Sequence, residues 1–191
     1  MIESKQDLYF YLERDRIVNG WSVSKSFISR IKIFLKPDVI RSFLIVLRKA
    51  EYYTNCQSWF WGRWYRFLYH KYSIKLGFTI PLNVFGPGLS IPHIGTIVVS
   101  VHSKIGANCR LHACVNIGAS GGGKNAPNIG DNVYIGPGAI LFGDICIADN
   151  VTIGANATVN KSCVQQNVVL AGSPASIVKD DYPSWVEIIK V

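Results

Sequence analysis

The chain has 191 residues, 49% of them apolar and 17% charged, with a formal net charge of +8. That apolar content excludes a disordered chain and allows one large or two small domains. The positive excess points to an anionic partner such as a nucleotide cofactor, an acidic glycan, a membrane surface or nucleic acid. The basic residues, however, concentrate before residue 76, outside the repeat described below, so nucleic acid is disfavoured.

Five cysteines (56, 109, 114, 146 and 163) form no Cys-x-x-Cys pair. An odd count without metal spacing predicts reduced thiols and no metal site. The start, MIESKQDLYFYLERDR, is too charged for a signal peptide. The longest clear apolar run, FLIVL, is far too short to cross a bilayer. The expected location is the cytoplasm, with contact at a membrane surface left open.

In chain order, residues 1 to about 75 read as helical. A short helix is expected over Gln6–Ile17. Ser22 or Ser24 is placed to cap a second, containing KSFISRIKIFL and stopping at Pro37. Asp38 opens a third, DVIRSFLIVLRKAEYY, with Val39, Phe43, Leu44 and Leu47 at helical spacing. A fourth runs from about Ser58 to Tyr72 and holds SWFWGRWYRFLYHKY. Aromatics on nearly every side predict burial against other helices or another subunit. The sharper alternative is a membrane-surface element, since aromatics with Arg and Lys suit an interface. His70, a lone helical histidine, is expected to be structural or solvated.

From about Pro87 to Val164 the chain repeats every six residues. An aliphatic residue opens each hexad: Val99, Ile105, Leu111, Ile117, then Ile129, Ile135, Leu141, Ile147, Ile153 and Val159. Fifth places are small or β-branched: Cys109, Val115, Val133, Ala139, Ile145, Val151, Ala157 and Cys163. Gly, Asn and Asp fill the turns, where tight backbone geometry is needed. Such a repeat predicts a parallel β-helix in which three hexads make one coil, so roughly thirteen hexads give about four coils. The fold class is therefore α+β: a helical region over 1–75, a left-handed parallel β-helix over 76–179 and a tail over 180–191. Between Gly118 and Pro127 the insert ASGGGKNA interrupts the repeat, which resumes in register at Ile129. It reads as a loop leaving the prism, and such loops often carry function. AGSPASIV closes the helix, and the tail is expected to cover the open coil end.

Three histidines lie in the repeat. Counting back from Val99 places His93 inward, as a core histidine; if Ile91 and Ile97 open the hexads, it faces outward and can act as a general base. His112 follows an opening residue and should face outward. His102 looks like a solvated turn residue.

The segments IPHIGTIVVS, CVNIGASGGG, IGDNVYIGPGAILFGDICIADNVTIGANATV and AGSPASIV resemble the serine acetyltransferase branch of the hexapeptide acyltransferases, over about residues 78–179. They are most similar to members that O-acetylate sugars of capsules and exopolysaccharides. The resemblance implies an acetyl-CoA-dependent O-acetyltransferase, a homotrimer with the donor between coils of adjacent subunits, and His93 as general base. It assigns donor binding to Gly118, Ser120, Gly136, Pro137, Ala155, Asn160 and Lys161, the last meeting a phosphate unless it is simply a solvated lysine. Four departures stand out. Phe78 and Pro92 occupy places where serine acetyltransferases carry Asp, Asn125-Ala126 replaces an Arg-His pair, and Ser176 replaces an Arg. Free serine without charged partners loses several charge-assisted hydrogen bonds. The expected acceptor is therefore a saccharide hydroxyl for a surface polysaccharide, with serine O-acetylation of cysteine biosynthesis as the alternative.

Overall fold

The computed structural model describes residues 1–21 and 38–190, so the expected helix ending at Pro37 lies outside the described residues. Among these, α1 (Lys5–Val18), α2 (Val39–Asn55) and α3 (Trp59–Leu76) precede thirteen short strands and α4 (Trp185–Ile189). Ser4 caps α1 through a capping box with Asp7, which satisfies donors on both sides of the helix start. Asp38 caps α2 by accepting from the Ile40 and Arg41 amides. The apolar stripe of α2 is buried, with Phe43 and Leu47 fully so. Phe43 meets the Phe78 ring edge-on at 5.1 Å. This contact joins the helices to the first strand of the repeat.

α3 buries little among the described residues. Gly62 and Leu76 are its buried residues. Gly62 is packed closely on α2, since a Cβ there would sit 3.4 Å from the Tyr53 carbonyl oxygen. Trp59, Phe60, Trp61, Trp64 and Phe67 are exposed, so nothing among the described residues covers these aromatics. No helix among the described residues is long and apolar enough to cross a membrane.

The strands stack into three sheets, written in spatial order: β1 (Phe78–Thr79), β2 (Ile97–Val99), β5 (Asn116–Gly118), β8 (Ile140–Phe142) and β11 (Thr158–Val159); β3 (Lys104–Ile105), β6 (Asn128–Ile129) and β9 (Cys146–Ile147); and β13 (Ala175–Lys179), β12 (Val169–Gly172), β10 (Thr152–Ile153), β7 (Tyr134–Ile135) and β4 (Arg110–Leu111). All pairings are parallel except β12 with β13. Strands follow one another around the three sheets in turn, which is a β-helix of hexapeptide repeats. Every opening and fifth-place residue named above is buried. Ile91, Ile97 and Val99 all point inward, which settles the register around His93. Five coils form rather than about four. The first runs through β1 (Phe78–Thr79) and isolated bridges at Phe85 and Ser90, where hexad character is weak.

The Gly-rich insert leaves a clear mark. Arg110 pairs with Tyr134 and Tyr134 with Thr152, residue offsets of 24 and then 18. One coil is therefore longer by one hexad, and those residues project as the exposed loop around Ser120–Asn125. Its Asn125 amide donates to Asp144 of the next coil at 3.1 Å.

One corner is held by polar ladders. Asn108, Asn132 and Asn150 each adopt a positive φ of 53–60°. Asn108 donates to Asn132 at 2.8 Å, and Asn132 to Asn150 at 2.9 Å. Asparagine tolerates this left-handed backbone better than most residues because its side chain can bond locally. The ladder ends at Arg14 of α1, whose guanidinium donates to the Asn108 side-chain oxygen at 2.8 Å.

The helices are pinned to the coils by a buried ion cluster. Arg48 is fully buried and donates to Asp15 at 2.8 Å and to Glu51 at 3.1 Å. It also donates to the carbonyls of Phe85 and Gly86. Asp15 accepts from the amides of Gly88 and Leu89, and Glu51 from that of Asn83. Burial pulls the Arg48 pKa down, but the two carboxylates more than offset it and hold the guanidinium charged.

The tail is placed differently from expectation. The antiparallel strand β13 (Ala175–Lys179) closes the last coil, while α4 turns back across the outer face of the sheet holding β4 and β7. There Trp185 packs with Val18 and Tyr134, and its indole N–H donates to the Asn108 carbonyl at 2.8 Å. The open end is covered by strand reversal, leaving α4 to cover a flank.

Candidate active site

His93 lies in the turn that leads from the Ser90–Ile91 rung to β2 (Ile97–Val99) and is exposed. The same corner recurs one coil on between β4 (Arg110–Leu111) and β5 (Asn116–Gly118), where His112 and Ala113 stand. The rings of His93 and His112 are 5.8 Å apart between centroids. His112 in turn lies 4.9 Å from the ring of Tyr134 on β7 (Tyr134–Ile135). The corner thus carries two neighbouring imidazoles, one open to solvent and one half-buried.

Burial, followed by the positive charges of Arg110 and His93, depresses the His112 pKa, so this imidazole is neutral near neutral pH. Its Nε2 is buried without a hydrogen-bond partner among the described residues. In the sequence, His112 is marked only as an outward residue after the opening Leu111. The missing signal was the pairing offset: His112 sits beside His93 only because one coil returns Leu111 over Ser90 and Ile91. Arg110 and Tyr134 were missed for the same reason. His102 is exposed, as expected for a turn residue, and stands outside this group.

The proposed donor residues fall on two corners flanking the sheet that holds β1, β2, β5, β8 (Ile140–Phe142) and β11 (Thr158–Val159). Pro137 and Ala155, both exposed, lie on the histidine corner one and two coils beyond His112. Gly118 and Ser120 begin the projecting loop at the opposite corner, where Asn160 and Lys161 follow β11, both exposed. Strands of two or three residues put these corners about 10 Å apart. Gly136 has a packing reason of its own: a Cβ there would lie 2.8 Å from the Ala155 amide nitrogen of the next coil. Lys161 makes no ion pair among the described residues.

Of the substituted positions, Phe78 is buried against Phe43 and presents nothing to an acceptor; its strand neighbour Thr79 is the exposed one. Among the described residues no group of three or more His, Cys, Asp and Glu is placed to hold a metal ion. Cys109 is buried and its thiol pKa is pushed well up by desolvation, so it is no nucleophile.

Comparison with known proteins adds names to this geometry. The family model described as bacterial transferase hexapeptide (six repeats) matches residues 126–161. A serine acetyltransferase of Mycobacterium tuberculosis is 35% identical over 133 residues, covering 66% of this chain and 58% of that protein. One from Staphylococcus xylosus is 41% identical over 98 residues, covering 50% of this chain and 45% of that protein. Among solved structures, serine acetyltransferase from Brucella abortus strain S19 in complex with coenzyme A superposes with a TM-score of 0.71 at 22% identity, covering 94% of this chain and 71% of that one. The chain spans about half the length of the curated relatives it matches.

These relatives correct the expected acceptor. They are named serine acetyltransferases, and no polysaccharide specificity accompanies them, so the saccharide reading gives way to its alternative. Phe78 is no acceptor-site position, because its side chain belongs to the core, so its departure from Asp says little about the acceptor. Residues 126–161 are bacterial transferase hexapeptide repeats, in a chain whose homologues include serine acetyltransferases.

Proposed function

We propose that this chain is an acyltransferase that moves the acetyl group of acetyl-CoA to the hydroxyl of L-serine, with His93 as general base. The observation that carries the proposal is the outward, exposed His93 beside a half-buried His112 on a hexapeptide corner. The names of the relatives support serine as acceptor. A neutral imidazole open to the acceptor can take a proton, as a general base requires.

Acetyl-CoA supplies an activated thioester. The residues fit such a donor: the loop from Gly118 through Ser120 offers open backbone, since nothing lies within 4 Å of where a Cβ at Gly121 or Gly122 would sit. Pro137 and Ala155 flank the histidine corner, and the exposed Lys161 with Asn160 can meet a phosphate. Gly136 allows the close stacking that places Pro137 and Ala155 together. His93 takes the proton of the acceptor hydroxyl as the oxygen attacks, and later surrenders it to the leaving thiolate. Transfer is direct, with no acyl-enzyme, in keeping with a buried, inert Cys109.

We further place the coils in a left-handed sense and the molecule in a homotrimer, with the donor groove between adjacent subunits. The exposed aromatics of α3, with Arg63, Arg66, Lys71 and Lys75 and no acidic residue, suit contact with an anionic membrane surface.

The test is thiol release from acetyl-CoA with L-serine as acceptor. His93→Ala should keep native circular dichroism and lose turnover by about a hundredfold or more, the range of general-base catalysis. A folded His93→Ala protein that turns over like the parent would overturn the assignment.

A further inference from the structure

The flank beneath α4 holds a second concavity, about 420 Å³ in volume, lined by Arg110, His112, Tyr134, Thr152, Tyr182 and Trp185 among others. Among the described residues, Arg110 is the only fixed cation in that lining. Its guanidinium lies over the Trp185 ring at 5.2 Å and donates to the Ser90 hydroxyl at 3.3 Å. No carboxylate pairs with it among the described residues. A guanidinium carries five donors in a fixed fork. Here one is used, and the group is already half out of water, which depresses its pKa, with Tyr134 acting in the opposite sense. Two residues along the same edge, the buried Nε2 of His112 also lacks a partner. Unmet donors drawn out of water cost free energy unless something arrives to accept from them.

The contrast with Arg48 is instructive. That buried guanidinium is met by two carboxylates and two carbonyls. Arg110 is only half out of water and meets no anion among the described residues. The fork geometry of a guanidinium matches a carboxylate in two parallel hydrogen bonds. A neutral imidazole with its proton on Nε2 adds a third donor.

We propose that this concavity binds the carboxylate of the amino-acid acceptor, through Arg110 and His112, while the acceptor's hydroxyl lies at His93. The inference rests on the serine reading above. It also explains how serine can be held although Asn125 and Ala126 offer no charge. The Arg and imidazole come from β4 and the turn after it rather than from the loop. α4 forms the outer wall through Trp185, Ile188 and Ile189.

The experiment pairs binding with turnover on the full chain, using L-serine and its carboxyl-blocked amide, L-serinamide. The imidazole signals of His112 are followed by heteronuclear NMR, assigned with His112→Gln. L-serine should shift them saturably and L-serinamide at equal concentration should not. Arg110→Gln should weaken serine binding, and raise its KM, by about ten- to a hundredfold, the scale of a lost charge-assisted pair. Arg110→Lys, which keeps the charge but not the fork, should recover part of that loss. Equal shifts from serine and serinamide overturn the proposal, as does unchanged serine binding in a folded Arg110→Gln. Should that variant not fold, the two ligands on the parent protein still decide. Selective serine binding without any acetyl transfer would leave the pocket standing and remove the serine acetyltransferase reading. Transfer to serine with no loss in Arg110→Gln would do the reverse.

Discussion

The coils and the helices that lean on them solve the same problem in opposite ways. In the coils, polar groups stay at the corners and meet their equals one coil away, as Asn108, Asn132 and Asn150 do. Each rung repeats the last, so no single contact carries much. At the helical base, three charged side chains are fully buried; Arg48 bonds to both carboxylates, and each of the three bonds to backbone of the first coil. Repetition distributes stability, whereas the base concentrates it in one cluster.

The largest effect should therefore come from that cluster. Arg48→Ala leaves Asp15 and Glu51 buried and unpaired, and should cost about 3–5 kcal/mol in denaturant unfolding. Removing all three charges together, with Arg48→Met, Asp15→Asn and Glu51→Gln, should recover much of that. A cost below about 1 kcal/mol for Arg48→Ala would mean that the base is not held in this way.

A rung of the ladder should matter less. Asn132→Ala loses two side-chain hydrogen bonds and forces alanine into a left-handed backbone, for a cost of about 2 kcal/mol. Asn132→Gly, free of the backbone penalty, should be milder, and the order of the two variants in thermal unfolding checks the account.

The smallest effect concerns pH. The folded state depresses the His112 pKa, so between that value and the ordinary one of about 6.5 the unfolded chain binds more protons. The contribution of His112 to stability is present above that window and fades as pH falls through it. The drop in melting temperature between about pH 7.5 and about pH 5.5 should be smaller in His112→Gln than in the parent. Identical drops would show that burial and Arg110 do not act on this imidazole as described.

The same contrast explains what could be read in advance. The repeat announces itself because each opening residue obeys a local rule, and all of those named are buried. The base does not: Asp15 and Arg48 are 33 residues apart, and nothing local marks them as partners. The site falls between. His93 stands in a recognisable motif, yet its direction depended on which of Ile97 and Val99 opened the hexad, and both proved to be inward. Arg110 and His112 look like ordinary turn-flanking residues until the 24-residue offset brings Tyr134 over them and Trp185 arrives from the far end of the chain. The aromatics of α3 are legible as apolar surface, but composition does not tell which surface, in this chain or outside it, covers them.

One strand has a consequence for assembly. A stack of parallel coils has no internal reason to stop, because each rung is a template for the next, and the terminal rung of one molecule could seat on the first rung of another. β13 runs backwards against β12, with Ile177, Val178 and Lys179 exposed. The final edge therefore presents an antiparallel register that the parallel first coil cannot continue, and at the other end Arg14 occupies the acceptor of the asparagine ladder. The protein is in this sense a short, doubly stoppered piece of a filament, kept discrete by one reversed strand and one arginine.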